Sequence, residues 1–229
     1  MSKVKSIFHI LFLINAALHL WAIISHDELL SWFTKPLLMP LLAIVLWFYA
    51  GNLHPRARRF ALIGLLFSCA GDILLMRAND YPHLFIIGLI SFLLAHISYI
   101  MAFFIIKLGH KGLVQRCPLW VLPFLFYMIG FNIYLYNGVT ADLRIPVILY
   151  SLVIMIMAMS ALNLRGIISQ QAFLWLFIGA LLFLLSDSIL AIGKFTTADS
   201  AQLGIWIMLT YIAGQYGIAK GIINSTNGQ

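Results

Sequence analysis

The chain has 229 residues, 63% of them hydrophobic and only 9% charged, with a formal net charge of +7. Its mean hydropathy is +1.01. So little polar surface cannot cover a water-soluble domain of this size, which excludes a soluble protein and leaves an integral membrane protein. The apolar runs are continuous rather than alternating, so an outer-membrane barrel is excluded too. A helix needs about 20 apolar residues to cross the hydrocarbon core. The length therefore allows seven or eight spans and no soluble domain, a single all-α unit over residues 1–229. The basic residues sit in short loops between apolar runs, a membrane pattern rather than a nucleic-acid one. Cys69 and Cys117 read as small buried hydrophobes. There is no C-x-x-C, no His/Cys cluster, no H-E-x-x-H and no Gly-rich phosphate loop, so neither a metal nor a cofactor is expected.

In chain order, Lys3 and Lys5 precede a first span from Ser6 to Ser25. It carries no small-residue cleavage site and has Trp21 where an interfacial anchor belongs, so it reads as a span and not a signal peptide. A loop with Asp27, Glu28 and Lys35 follows, and Pro36 opens the second span, which ends near Gly51. The basic loop Asn52 to Arg59 leads to a third span, Phe60 to Met76, closed by Arg77. After Asn79-Asp80-Tyr81-Pro82 the fourth span runs to Ile106. Lys107, Lys111 and Arg116 precede a fifth from Pro118 to Tyr136. A loop with Asp142 and Arg144 leads to a sixth that ends near Leu164 beside Arg165. The seventh runs from Ala172 to Ile192 and the eighth from Gln202 to Ala219, followed by Lys220 and a polar tail.

Eight spans sort the charges. The side holding the N-terminus carries Lys3, Lys5, Arg56, Arg58, Arg59, Lys107, Lys111, Arg116, Arg165 and Lys220 and no acid. The other carries Lys35, Arg77, Arg144 and Lys194 with Asp27, Glu28, Asp80, Asp142 and Asp199. The positive-inside rule puts both termini in the cytoplasm, with the inner (plasma) membrane the expected location in a bacterium.

Two acidic residues lie inside spans: Asp72 in the third and Asp187 in the seventh. A carboxylate there is costly and marks a functional site by default. Both spans run outward. Asp72 is five residues before Arg77 and Asp187 seven before Lys194, roughly 8 and 10 Å short of the outer boundary at the helical rise. Equal depth is what a shared site requires. The spans also resemble each other: Gly64 and Gly179 each lie eight residues before the aspartate, and Gly71 and Ser186 directly precede it. Leu75 and Leu190 follow three later, while His96 and Tyr211 lie 24 beyond. Two parallel four-helix halves, 1–110 and 111–229, give this correspondence; a chance match between Leu/Phe-rich helices is the competing explanation.

Small and polar residues fall on helix faces: Gly64, Ser68 and Asp72; His96 and Tyr99; Gly204, Met208, Tyr211 and Gln215; Asn15 and His19. Polar groups facing lipid are costly, so these faces should turn inward. For His96 the ordinary reading is a satisfied structural histidine, and for Tyr211 and Gln215 interhelical hydrogen bonds. Lys35 by charge alone snorkels to the interface.

Two carboxyls held close in low dielectric do not both ionise, which leaves an acid and a base. Such a pair suits addition of water across a bond, and equally a proton site in a transporter or a lysolipid-handling protein. An intramembrane aspartyl protease is excluded, because its Tyr-Asp and Gly-x-Gly-Asp signatures are missing.

A resemblance adds to this. Thr34-Lys35-Pro36, Phe67-Ser68-Cys69-Ala70-Gly71-Asp72, Gly88 through Phe92 to Ala95-His96-Ile97-Ser98-Tyr99, Gly179 through Ser186-Asp187, and Tyr211-Ile212-Ala213-Gly214-Gln215 together resemble the YhhN family of eight-span membrane proteins. The family's animal members are lysoplasmalogenases. Gly214 departs from the alanine expected before the glutamine. The resemblance implies hydrolysis of the vinyl ether bond of a lysoplasmalogen, a lysophospholipid, to a fatty aldehyde and glycerophospho-ethanolamine or -choline. It implies Asp72 and Asp187 as the catalytic pair, with Lys35, His96, Tyr99, Tyr211, Gln215 and Ser186 around the substrate and Lys35 near its phosphate.

Overall fold

A computed structural model of the chain describes residues 2–78, 80–196 and 200–225, without the side chains of residues 2, 3 and 200–202. The expected loop residues Asn79 and Asp199, the side chains of Lys3 and Gln202 and the tail 226–229 lie outside the described residues. Among the described residues every regular element is helical: α1 Ser2–Ile24, α2 Glu28–Tyr49, α3 Pro55–Met76, α4 His83–Lys107, the short α5 Leu113–Arg116, a 3-10 turn Pro118–Val121 that leads into α6 Leu122–Leu135, α7 Ala141–Leu162, α8 Gln170–Phe195 and α9 Ser200–Asn224. Among the described residues, seven helical segments are long and apolar enough to cross a membrane, with Pro118–Leu135 as one of them. The eighth expected span is α9, a helix of 25 residues outside that group of seven. Large apolar side chains such as Leu66, Phe126, Ile133 and Trp206 face outward, which water would not tolerate and lipid does. The chain is an integral membrane protein.

Helix ends depart from the sequence expectation where caps decide them. The second span does not open at Pro36. Asp27 caps α2 by accepting from the Leu30 N–H at 2.9 Å, so the helix starts two turns earlier and runs through Pro36 and Pro40. Lys35 is therefore inside a helix and half-buried, not in a loop. Pro40 has no N–H for the Pro36 carbonyl, and the Cys69 thiol of α3 donates to that carbonyl at 3.4 Å. Cys69 is thus a half-buried donor that repairs a proline gap, rather than a plain buried hydrophobe. Pro55 opens α3 under the His54 cap, so Arg56, Arg58 and Arg59 belong to the helix. Ser169 caps α8 at 3.3 Å. Asp142 and Arg144 lie in the first turns of α7, Lys194 in the last turn of α8 and Lys220 within α9.

Cations over aromatic rings mark the two ends of α3. Arg58 lies 4.4 Å over Trp47 and Arg77 lies 5.5 Å over Trp32. The nineteen residue steps from Arg58 to Arg77 give about 28 Å of helix, close to the thickness of a hydrocarbon core. Asp72 falls within that interval.

The helices gather into two compact units, Met1–Ala102 and Phe103–Gln229. In the first, α1 is tied to α2 by a buried polar knot. Asn15 Nδ2 donates to the Thr34 carbonyl and His19 Nδ1 pairs with Thr34 Oγ1, each at 2.9 Å. The Thr34 hydroxyl is already spent on the Leu30 carbonyl at 2.7 Å, so Nδ1 of His19 carries the proton. α3 meets α4 where Gly64 faces the Tyr99 ring and Gly71 the Phe92 ring, and Ser91 Oγ donates to the Phe67 carbonyl at 2.7 Å. In the second unit, α8 and α9 approach backbone to backbone, with Gly179 against Gly214, Gly217 and Ile218. Such contact between transmembrane helices needs residues without side chains.

Candidate functional site

Asp72 lies one residue past Gly71 on the buried face of α3, with only 3% of its surface exposed. Ser68 and Gly64 complete that face, as the stripe spacing predicts. Opposite, α4 presents Phe92, His96 and Tyr99 at i, i+4 and i+7, which share one side of a helix. Phe92 lies on Gly71 and Tyr99 on Gly64, so His96, fully buried, faces α3 between them at the level of Ser68. The structure thus brings three predicted residues, Asp72, His96 and Tyr99, onto two facing helix surfaces. Lys35 lies in the same unit, next to the Thr34 knot.

Asp187 belongs to the second unit and has a different setting. It is half-buried, and Tyr150 Oη of α7 donates a hydrogen bond to its carboxylate oxygen Oδ2. Next to it, Ser188 Oγ donates to the Leu184 carbonyl at 2.6 Å and also bonds the Tyr127 hydroxyl of α6. A cavity of about 40 Å³ opens against Asp187, Tyr150, Ser188, Tyr127 and Ser151. That exceeds the roughly 10–15 Å³ one water needs, and several of its walls are polar, as a bound water requires. A carboxylate, two phenols and room for a water thus lie together at this point of the second unit.

Of the remaining predicted residues of this unit, Ser186 and Tyr211 join α8 to α9 and Gln215 lies buried in α9. Ser186 Oγ donates to the Ile207 carbonyl at 3.0 Å, Tyr211 packs edge-on against Phe183 at 5.5 Å, and Gln215 is fully buried. Their spacing repeats that of the first unit. Shifting positions 64, 71, 92 and 99 by 115 gives 179, 186, 207 and 214. Gly64–Tyr99 and Gly71–Phe92 correspond to Gly179–Gly214 and Ser186–Ile207.

Sequence reasoning missed Tyr150, Tyr127, Ser188 and Thr34's role as hub. The depth argument reaches Tyr150. It lies nine residues into α7 and Asp187 lies eight before the end of α8, about 14 and 12 Å from helix ends on the same side. Among the described residues no group of three or more His, Cys, Asp or Glu is placed to hold a metal.

The family model described as the YhhN family matches residues 30–222. Over 172 residues the chain is 31% identical to a protein of Mycobacterium tuberculosis named lysoplasmalogenase, which covers 73% of this chain and 62% of the relative. A Bos taurus protein named lysoplasmalogenase TMEM86A is 33% identical over 177 residues, 75% of this chain and 68% of its own. The human protein named lysoplasmalogenase TMEM86B is 29% identical over 219 residues, 93% of this chain and 85% of its own. The chain thus spans about six tenths of the mycobacterial relative's length. No solved structure matches. With a family match over residues 30–222 and relatives above 30% identity, the chain belongs to the YhhN family.

Proposed function

We propose that this chain is a lysoplasmalogenase of the plasma membrane, with both termini cytoplasmic, which hydrolyses the vinyl ether bond of a lysophospholipid by the joint action of Asp72 and Asp187. The observation that carries the reading is Asp187, held by Tyr150 beside a cavity with room for water. Relatives that bear the name lysoplasmalogenase support it. So does the equal spacing around the two aspartates, which two tandem halves would produce.

In this reading one carboxyl is protonated. It gives its proton to the outer vinyl carbon as the double-bond electrons form the new C–H bond, and the positive charge rests on the oxocarbenium group. The ionised partner steadies that cation and takes a proton from the water that attacks it, as carboxylate pairs do in glycoside hydrolysis. The hemiacetal so formed breaks its bond to the glycerol oxygen, which takes up a proton, and fatty aldehyde and glycerophospho-headgroup leave. Lys35 provides positive charge toward the phosphate. His96, Tyr99, Tyr211, Gln215 and Ser186 shape the site around the pair.

Purified chain incubated with lysoplasmalogen, and separately with an ordinary acyl lysophospholipid, tests this by mass spectrometry of the products. Aldehyde should form from the first substrate alone and vanish in both Asp72→Asn and Asp187→Asn. Full activity in either variant overturns the pair. Absence of cleavage, with pH-dependent lipid binding through the same residues, replaces the enzyme by a transport or lipid-handling protein. Whether the carboxyls share a site is tested directly in a chain with Cys69 and Cys117 replaced by alanine. Asp72→Cys and Asp187→Cys should there be joined by a short bifunctional thiol reagent spanning about 7 Å, the spacing of cooperating carboxylates.

A further inference from the structure

A second, larger cavity lies in the unit Phe103–Gln229, between α6 and α7. Its volume is about 600 Å³, within the usual range of small-molecule sites. Its walls are largely apolar, with Ile129, Ile133 and Ile148, and its polar members are Arg144, Tyr136, Asn132 and Asn137. Met128 and Val147 line both this cavity and the small one beside Asp187, so the two follow one another along a single cleft.

The donors in this cleft are unevenly used. Arg144 lies 4.1 Å over the Tyr136 ring and gives Nη1–H to the Tyr136 hydroxyl at 3.1 Å. Its Nε is buried with no hydrogen-bond partner, and among the described residues no carboxylate pairs with it. Asp142, two residues earlier, is exposed, and residues two apart on a helix do not face each other. Tyr136 therefore leaves without a protein partner the guanidinium edge that carries Nε and Nη2, the edge that grips a phosphate with two parallel hydrogen bonds. One helical turn deeper, Asn132 spends its amide protons on the Met128 carbonyl and Ser151 Oγ, both at 2.8 Å. Donation to a carbonyl identifies the amide nitrogen, so its Oδ1 is left as an acceptor.

We infer that the α6–α7 cleft seats the glycerophospho part of a lysolipid, with Arg144 side-on to the phosphate and Asn132 Oδ1 accepting from the free hydroxyl of the glycerol. The inference rests on the lysoplasmalogenase reading for the identity of the lipid. Dimensions support it. From Arg144 to Tyr150, whose hydroxyl holds Asp187, is six residues or about 9 Å of helix. From phosphorus to the vinyl carbon bonded to oxygen is six bonds, roughly 7 Å at about 1.2 Å per extended bond. A phosphate at Arg144 thus sets the vinyl ether near the level of Asp187, with the glycerol hydroxyl between them at Asn132. A diacyl lipid has no such hydroxyl to donate and would leave the Asn132 acceptor unpaired, which gives the cleft a means of selecting lysolipids.

The full chain in detergent micelles tests this by binding of a saturated 1-O-alkyl lysophosphatidylcholine, which cannot be cleaved, against 1-O-alkylglycerol, which lacks the phosphate. Arg144→Ala should weaken the phospholipid roughly 10- to 100-fold, the worth of charge-assisted hydrogen bonds, and leave alkylglycerol unchanged. Arg144→Lys should restore part of the loss, because it keeps the charge and not the fork. Equal weakening of both lipids, or of neither, overturns the phosphate seat. Glycerophosphocholine should bind far more weakly than the lysolipid; equal affinity makes this a site for free phosphate esters. A 2-O-methyl lysolipid should bind worse than its 2-hydroxy parent to the wild type and equally well to Asn132→Ala, and a preference kept in that variant removes Asn132 from the site. Wild-type chain that binds in this Arg144-dependent way but releases no aldehyde would sink the enzyme and spare the cleft. Cleavage with an unchanged KM in Arg144→Ala would do the reverse.

Discussion

The pairs α3–α4 and α8–α9 share one register and solve their contacts differently. In α3–α4 the glycines accept aromatic rings: a Cβ on Gly64 would come within 2.8 Å of Tyr99 Cε1, and one on Gly71 within 2.6 Å of Phe92 Cδ2. In α8–α9 a glycine meets backbone, with the Gly214 carbonyl oxygen 2.8 Å from a Cβ placed on Gly179. The aspartates differ accordingly. Asp72 is 3% exposed, one residue past the contact of Gly71 with the Phe92 ring, while Asp187 borders a cavity and takes a hydrogen bond from Tyr150. On the proposed reading, unequal surroundings are how two like carboxyls come to play unlike parts. An acid–base pair needs that inequality, and a purely structural pair does not.

The most severe way to break the comparison is to remove each carboxylate in turn. Asp72→Asn and Asp187→Asn should each lower kcat/KM on lysoplasmalogen by about a thousandfold or more, the scale of general acid–base catalysis. If only one variant falls so far, the two positions are not partners. Next come the glycines. Gly179→Ala drives a methyl into backbone that cannot swing aside and should cost about 3 kcal/mol of stability. Gly64→Ala presses on a side chain and should cost about 1 kcal/mol. Thermal unfolding in detergent ranks them, and a reversed order removes the distinction between ring contact and backbone contact.

The helical membrane architecture was readable because lipid enforces it. Continuous apolar runs of span length have few other outcomes, and Asp72 and Asp187 stood out because so few acids occur in the chain at all. The buried stripe Gly64, Ser68, Asp72 followed from helical spacing alone. What escaped the sequence was local chemistry that competes with simple rules. Pro36 looked like a helix start, yet the Asp27 cap and the Cys69 thiol let α2 pass through two prolines. Tyr150 looked like one aromatic residue among many, since nothing in its own helix marks it. Only its depth, matched with that of Asp187, distinguishes it. Arg144 read as a loop charge because its helix begins as early as Ala141, after an N-cap Thr140 that the sequence reading passed over.

Tyr150 bears on the setting of Asp187 directly, because its hydroxyl donates to that carboxylate. Tyr150→Phe removes the donor and keeps the ring. A charge-assisted hydrogen bond of this kind contributes about 2 kcal/mol, so kcat should fall roughly 10- to 30-fold while KM stays near its original value. A rise in KM with kcat intact would mean that Tyr150 contacts the lipid rather than positioning Asp187.

The smallest expected effect separates two meanings of the residue before each aspartate. Gly71 makes no side-chain bond, while Ser186 donates to the Ile207 carbonyl at 3.0 Å and is 1% exposed. That carbonyl lies inside α9 and keeps its own helical partner, so the loss in Ser186→Ala is one neutral hydrogen bond, about 1 kcal/mol. If Ser186 serves to hold α9 against α8, unfolding temperature falls slightly and kcat/KM is unchanged. If its hydroxyl turns to the substrate during the reaction, kcat/KM falls while stability hardly moves. Ser186→Gly sharpens the choice, because it gives the second pair the residue that the first already has. Activity close to wild type in that variant would show that position 186 sets only the spacing of the two helices, and that the difference which matters between the pairs lies at Tyr150.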